Sequence, residues 1–459
     1  MTKISFCRWF FIALFFLWFS CDGSDKPPVE EPEYPVLLSS DPATNAVVPV
    51  ATQSVKLTFK GNIVLINRMR ITLNDEVVPD VSVSQNVLTV RLNRLYEKTT
   101  YTLVIGINAI KAQPGDLNAE PITITFTTDA LPASSIRPNL VVPNPSPEAV
   151  KLYGFLKANY GKKIISGTMA NVAWNINEAQ WVYQHTGKYP ALNAFDYIFL
   201  YASPTSGWID YGDTKVVEDW WNAGGIAACI WHWNVPVTAG SNQYAFYTSE
   251  TAFDVSKAVQ EGTPENAVIK ADLEKIANYL LLLKQKNIPV IWRPLHEAAG
   301  RWFWWGAKGP QPCKELWKIM FDYFKAKGLN NLIWVYTSEP NDDAWYPGDE
   351  YVDIIGRDLY NKPNANDVFL DYQSLVQRFP NKIITLSECG NVARISEQLN
   401  AGVNWSWFMT WYDHNRTVNP GSAAFQSEAH QYGDAAFWRN AFATGKVLSR
   451  EDMGYFGLY

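Results

Sequence analysis

The sequence predicts an α/β protein, a (β/α)8 TIM barrel preceded by a small all-β sandwich, on three observations. From residue 148 to the end, short apolar runs recur eight times, separated by helical-period segments or long loops. Residues 36–130 instead carry short alternating runs with turn residues between them. Finally, ionisable and aromatic residues cluster just after the apolar runs of the second part, where such barrels place their chemistry.

At 459 residues the chain is long enough for two or three domains. Its net charge of -6 gives no electrostatic invitation to nucleic acid or to anionic membrane surfaces. Aromatic residues reach 14%, with 20 Trp, an excess that core packing alone does not call for. Residues 1–21 read as a targeting segment: Lys3 and Arg8 precede an apolar run from Trp9 to Phe19, too short for a permanent membrane span. Ser20-Cys21, followed by Asp22 and Asp25, resembles a bacterial lipoprotein signal, with Cys21 as the lipidated residue. The resemblance implies export to the outer membrane, surface exposure, and membrane attachment through a lipid anchor only. Residues 22–35 form a flexible Pro- and Glu-rich tether. Cys229, Cys313 and Cys389 then remain, an odd number, and Cys229 and Cys389 sit in or at the ends of predicted strands as small buried hydrophobes. No CxxC or HExxH spacing is present, so no metal site is expected.

In the first domain, Val55–Phe59, Met69–Leu73, Val87–Leu92, Thr100–Ile105 and Ile122–Phe126 are the expected strands. The opening Ser40-Asp-Pro-Ala-Thr-Asn45 and the closing Ile124-Thr-Phe-Thr-Thr128 resemble bacterial Ig-like domains. With no aromatic cluster or carboxylate pair, this domain reads as a spacer in preference to a carbohydrate-binding module. A Pro-rich linker, residues 131–147, follows.

In the second domain, 148–459, the expected strands are Lys163–Gly167, Pro190–Ala194, Gly225–Trp231, Pro289–Arg293, Leu332–Tyr336, Val352–Gly356, Lys382–Leu386 and Trp405–Met409. Apolar stripes predict helices over Ala271–Gln285 and Glu315–Lys327. No Gly-rich phosphate turn supports an open doubly wound sheet instead. His232 and Trp233 follow the third run, His296 and Glu297 the fourth, and Asp358 and Tyr360 the sixth. Glu388 follows the seventh, and Trp411, Asp413 and His414 the eighth. Two strand-end glutamates beside tryptophans suit sugar chemistry: aromatic faces cover C–H surface, and a carboxyl pair serves retaining glycoside hydrolysis. Sequence spacing does not say how far apart the carboxyls lie.

Trp292-Arg-Pro-Leu-His-Glu-Ala-Ala-Gly-Arg-Trp-Phe-Trp-Trp305 resembles the acid/base motif of glycoside hydrolase family 26. Leu386-Ser-Glu-Cys-Gly390 is similar to its nucleophile motif, and Ile355-Gly-Arg-Asp-Leu-Tyr360 to its strand-six motif. The resemblance implies Glu297 as general acid/base and Glu388 as nucleophile. It implies that His296 orients or hydrogen-bonds the nucleophile and that Tyr360 donates to it. His232 and Trp302 would flank the cleaved bond, and Trp411 would lie under the distorted sugar. Arg293 and Asp358 would be supporting charges, while Trp304 and Trp305 read as packing. The implied activity is a retaining endo-β-1,4-mannanase on mannan, glucomannan or galactomannan, without metal or organic cofactor. A β-1,3-1,4-glucanase or β-1,3-xylanase of the same family, or a non-catalytic surface glycan-binding protein, are the alternatives. The loop Asn234 to Thr263 matches no motif, and nothing points beyond a monomer.

Overall fold

The computed structural model describes residues 33–454, apart from 94, 131–134, 172–173 and 415–418. The expectations for the targeting segment, for Cys21 and for most of the tether lie outside the described residues. Residues 36–130 form two stacked antiparallel-rich sheets. One runs Leu37–Asp41, Ser54–Phe59, Val87–Arg91, Asp80–Ser84; the other Ala46–Val48, Ile122–Thr128, Thr100–Ile105, Ile71–Leu73, Glu76–Val77. Alternate residues face inward, as the two-residue period of a strand requires: Val55, Leu57 and Phe59 meet Leu88 and Val90, and Leu103 and Ile105 meet Ile124 and Phe126 in one buried core. The expected strand from Met69 starts later, at Ile71. The Asn67 side chain accepts from the Met69 amide and caps a 3-10 turn over Arg68–Arg70.

Eight parallel strands close the barrel: Ile164–Met169, Leu192–Asp196, Ile226–Ile230, Val290–Arg293, Leu332–Thr337, Ile354–Tyr360, Ile383–Gly390 and Trp407–Thr410, with the first hydrogen-bonded to both the second and the eighth. All eight expected runs are strands. The sixth and seventh extend further than their apolar letters suggest, so that Asp358, Tyr360 and Glu388 lie within strands rather than after them. The helices start earlier than their apolar stripes, at Pro264 and Pro310, because proline suits the first helical turn, where its missing N–H costs nothing. After the fifth strand the repeat lapses: the connection to the sixth holds two 3-10 turns, Asp343–Trp345 and Asp349–Tyr351, and no α-helix.

The Pro-rich linker is not a free tether where it is described. The Arg137 and Val141 amides donate to the Asn381 carbonyl and to Asp353 Oδ1, and Leu140 and Val142 are buried in the barrel core. The sandwich also touches the barrel directly: Arg91 pairs with Asp367, and the Ala51 amide donates to Gln377 Oε1 at 3.4 Å. Cys229, Cys313 and Cys389 are buried and free.

Candidate active site

The fourth strand ends at Arg293, and the chain then turns sharply. Leu295, Glu297 and Arg301 all take left-handed backbone, with φ of 47°, 51° and 62°. For residues with a Cβ this conformation is strained. The packing around it holds the shape. Trp304 and Trp305 are fully buried, and their indole N–H groups donate to the Trp233 and His296 carbonyls at 2.6 and 3.0 Å. Gly300 has no room for a side chain, because the Trp302 ring occupies the place of its Cβ. The Trp302 Nε1–H donates to Glu297 Oε2 at 2.9 Å.

Across the barrel mouth, the seventh strand carries a β-bulge. Arg357 pairs with Leu386, but the next residue, Asp358, pairs with Glu388, so Ser387 is the extra residue. The shift sets Glu388 beside Asp358. Carboxyl oxygens of Glu297, Asp358 and Glu388 all lie within 4.8 Å of one another. Arg293, 4% exposed, neutralises part of this crowd: Nη1 donates to Asp358 Oδ2 at 2.8 Å and to Thr337 Oγ1 at 3.1 Å, and Nη2 to Glu388 Oε2 at 2.6 Å. Ser387 Oγ donates to Asp358 Oδ1 at 2.7 Å, and the Tyr360 hydroxyl to Glu388 Oε1. By distance alone the three carboxyls could cage a cation, but the Arg293 guanidinium already supplies positive charge to two of them.

The environments push the two glutamates apart. Burial, then repulsion from Asp358 and Glu388, drives the Glu297 carboxyl far above the usual range, with Arg293 opposing only in part. Glu388 is raised less, because burial and Asp358 are countered by Arg293 and by the Tyr360 hydrogen bond. One acid held protonated beside one held ionised is the division of labour that retaining glycoside cleavage needs. With oxygens within 4.8 Å, the pair is close, as in retaining enzymes (about 5–5.5 Å), and well short of the roughly 6.5–9.5 Å of inverting ones.

Residues 141–434 match the sequence profile described as Glycosyl hydrolase family 26. The chain belongs to that family. Residues 31–128 match the profile described as Bacterial Ig-like domain. Mannan endo-1,4-beta-mannosidase A of Piromyces sp is 35% identical over 359 residues, which cover 74% of this chain and 56% of that protein. The mannan endo-1,4-beta-mannosidase of Thermothelomyces thermophilus is 38% identical over 303 residues, 63% of this chain and 61% of its own. The chain thus spans a little over half the length of these curated relatives. Among solved structures, the family 26 domain of a Prevotella bryantii endo-beta-mannanase/endo-beta-glucanase superposes with a TM-score of 0.63 at 38% identity, covering 68% of this chain and 98% of that one.

Within this family 26 site, one expected contact differs. His296 makes no hydrogen bond to Glu388, whose oxygens are taken by Arg293 and Tyr360. Its ring packs 4.6 Å from His232 and 5.1 Å from Phe303, and Nδ1 is buried without a partner. Burial, then the charges of Arg293 and His232, holds His296 well below the usual histidine range and hence neutral. Arg293, expected as a supporting charge, bonds the nucleophile position directly. The structure brings His232 and Trp411 together at the barrel mouth, with ring centroids 5.6 Å apart.

Sequence reasoning missed Asp196. It ends the second strand, and its Oδ2 and Oδ1 accept from His232 Nδ1 at 2.7 Å and from the His232 amide at 3.1 Å. The bond sets the proton on Nδ1 and turns Nε2 the other way. An acid at a strand end was the available signal. Glu339, just past the fifth strand, was also missed; burial first, then Asp358 and Asp342, pushes it up to about 7.

The unmatched loop after the third strand forms a small ribbon, Val235–Pro236 with Tyr244–Ala245. It is laced to the Glu297 turn: the Thr248 amide donates to the Trp302 carbonyl at 2.7 Å, and the Trp304 amide to the Phe246 carbonyl at 3.0 Å. Exposed rings of Trp302, Tyr247, Tyr244, Tyr201 and Trp208 lie on the loops after the second, third and fourth strands, with Tyr201 and Tyr244 stacked at 4.5 Å.

Proposed function

We propose that this chain is a retaining endo-β-1,4-mannanase, exported and held at the outer membrane by a lipid on Cys21, and working as a monomer. The observation that carries the reading is the close carboxyl pair at the ends of strands four and seven, one held protonated and one ionised. Glu388, oriented by Arg293 and Tyr360, attacks the anomeric carbon as Glu297 protonates the leaving oxygen. The C–O bond to the aglycone breaks and a glycosyl ester forms on Glu388. Glu297, now ionised, takes a proton from water, which attacks the same carbon and releases Glu388. His232 and Trp302 flank the cleaved bond, Trp411 lies under the sugar, and the exposed rings beyond Trp302 offer stacking surface to an extended chain. The names of the two mannosidase relatives support mannan over β-glucan as substrate.

The test is reducing-sugar release from linear mannan, with Glu388→Ala as control and product anomers followed by NMR. Turnover that disappears in the variant, with the β-anomer formed first, is expected. Affinity without turnover would replace the enzyme with a glycan-binding protein. Release of single units from chain ends alone would remove the endo assignment. For the anchor, labelling with a radioactive fatty acid should be lost in Cys21→Ala.

A further inference from the structure

A second cavity lies outside the barrel wall, between the Ig-like domain and the barrel, with a volume of about 370 Å3. Gln53 and Arg91 line it from the sandwich; Arg357 lines it from the sixth strand, Lys362 from the connection after it, and Asp367 and Asp371 from the helix Ala365–Arg378. Three cations and two carboxylates leave the lining one positive charge in excess. Arg91 pairs with Asp367 and Lys362 with Asp371, and Arg357, which reaches Asp371 only at 3.9 Å, is the most loosely paired of the three cations. That side chain is 4% exposed. Its Nη1 donates to the Ser338 carbonyl at 2.7 Å, Nη2 stands 3.9 Å from Asp371 Oδ1, and Nε is buried with no partner at all.

Nε is sealed from the cavity, but Nη2 makes no hydrogen bond among the described residues, and a guanidinium edge with a donor unmet suits a carboxylate. At 370 Å3 the cavity is far larger than one water needs, about 30 Å3, and falls in the range of small-molecule sites. No aromatic ring lines it, so a neutral sugar would find no stacking face. The lining carboxylates and amide do suit hydroxyl groups. We infer that this interdomain cavity binds a hexuronate, its carboxylate on Arg357 and its hydroxyls on groups from both domains. The ligand is either a free sugar acid or an acidic branch of a polysaccharide. Arg357 and Lys362 flank Asp358 and Tyr360 in sequence, so the cavity adjoins the catalytic rim without sharing its groups. The inference stands independently of the mannanase reading, and the Ig-like domain becomes a partner in binding rather than a spacer.

Calorimetric titration of the full chain with glucuronic acid, glucose, sulfate and a glucuronosylated manno-oligosaccharide tests it. Glucuronic acid should bind about tenfold or more tightly than glucose or sulfate. Arg91→Gln and Lys362→Gln should each weaken it severalfold while leaving turnover of linear mannan unchanged, and Arg357→Gln should abolish it. Tighter binding of the branched oligosaccharide places the acid on a polysaccharide; tighter binding of the free acid makes it a small-molecule site. Equal binding of glucuronic acid and glucose, equal binding of sulfate, or full affinity in both Arg91→Gln and Lys362→Gln would overturn the inference, whether or not Arg357→Gln folds.

Discussion

Replacing Tyr360 with Phe deletes one hydroxyl and little else, and so isolates what that hydroxyl does for Glu388. The phenol donates to Glu388 Oε1, while Arg293 continues to hold Oε2 at 2.6 Å. A hydrogen bond to an ionised carboxylate contributes about 1.5–3 kcal/mol, and one pKa unit corresponds to about 1.4 kcal/mol. Because the bond favours the charged form, its loss raises the Glu388 pKa by about 1–2 units. A protonated Glu388 cannot attack, so the acid limb of kcat/KM moves to higher pH by the same amount. With Glu388 starting from about 6, the variant should lose about 10–100-fold at pH 5 and recover most of it only above about pH 8. The assay is kcat/KM on a linear manno-oligosaccharide from pH 4 to 9, with melting temperature as the check on folding. A uniform loss at every pH, with the acid limb where it was, would refute the argument that Tyr360 acts by keeping Glu388 ionised.

Glu297→Ala should cut turnover of mannan by about 10²–10⁴-fold yet spare the glycosylation of an aryl mannoside whose leaving group needs no proton, read as a burst of released phenol. Equal loss on both substrates would count against the acid role. In the intact enzyme the basic limb reports Glu297: activity should fall as pH rises through its elevated pKa, and Glu297→Ala should lack that limb. Asp196→Asn removes the acceptor that orients His232; kcat/KM should drop about tenfold or more with little change in melting temperature. Asp272 accepts from Trp233 Nε1 at 2.8 Å, and burial pushes it up to about 6. Its folded pKa lies above its unfolded one, so the stability it contributes is full below about pH 4 and lost as pH rises through 6, roughly 3 kcal/mol in all. Asp272→Asn should flatten that part of the stability profile, measured by thermal melts from pH 4 to 8.

The barrel was readable because each parallel strand is buried on both faces and so spells a short apolar run. Where a strand continues past its apolar letters, as in Arg357–Tyr360 and Ser387–Gly390, the hydrogen-bond ladder rather than hydrophobicity carries it, and the run alone stops short. Glu297 and Glu388 were legible as strand-end acids. Their separation was not, because it depends on a bulge at Ser387 that no periodicity announces. The hydrogen bond to Glu388 that the resemblance allowed for His296 is not made, because Arg293 and Tyr360 occupy those oxygens. Asp196 was passed over because the second expected run stops at Ala194, two residues short of the strand's end. The contact between the sandwich and the helix Ala365–Arg378 rests on single polar residues, which leave no pattern in either domain's sequence.

The turn holding Glu297 puts three residues that have side chains into a shape glycine would adopt freely. Selection for heat resistance alone would therefore favour Gly or Asn at 301, where the side chain is exposed and never touches the reacting carbon, but not at 295, where Leu295 is buried in the core. Each such gain would slacken the frame that aims the acid, so hardier descendants of this protein should be slower ones unless turnover is screened alongside melting.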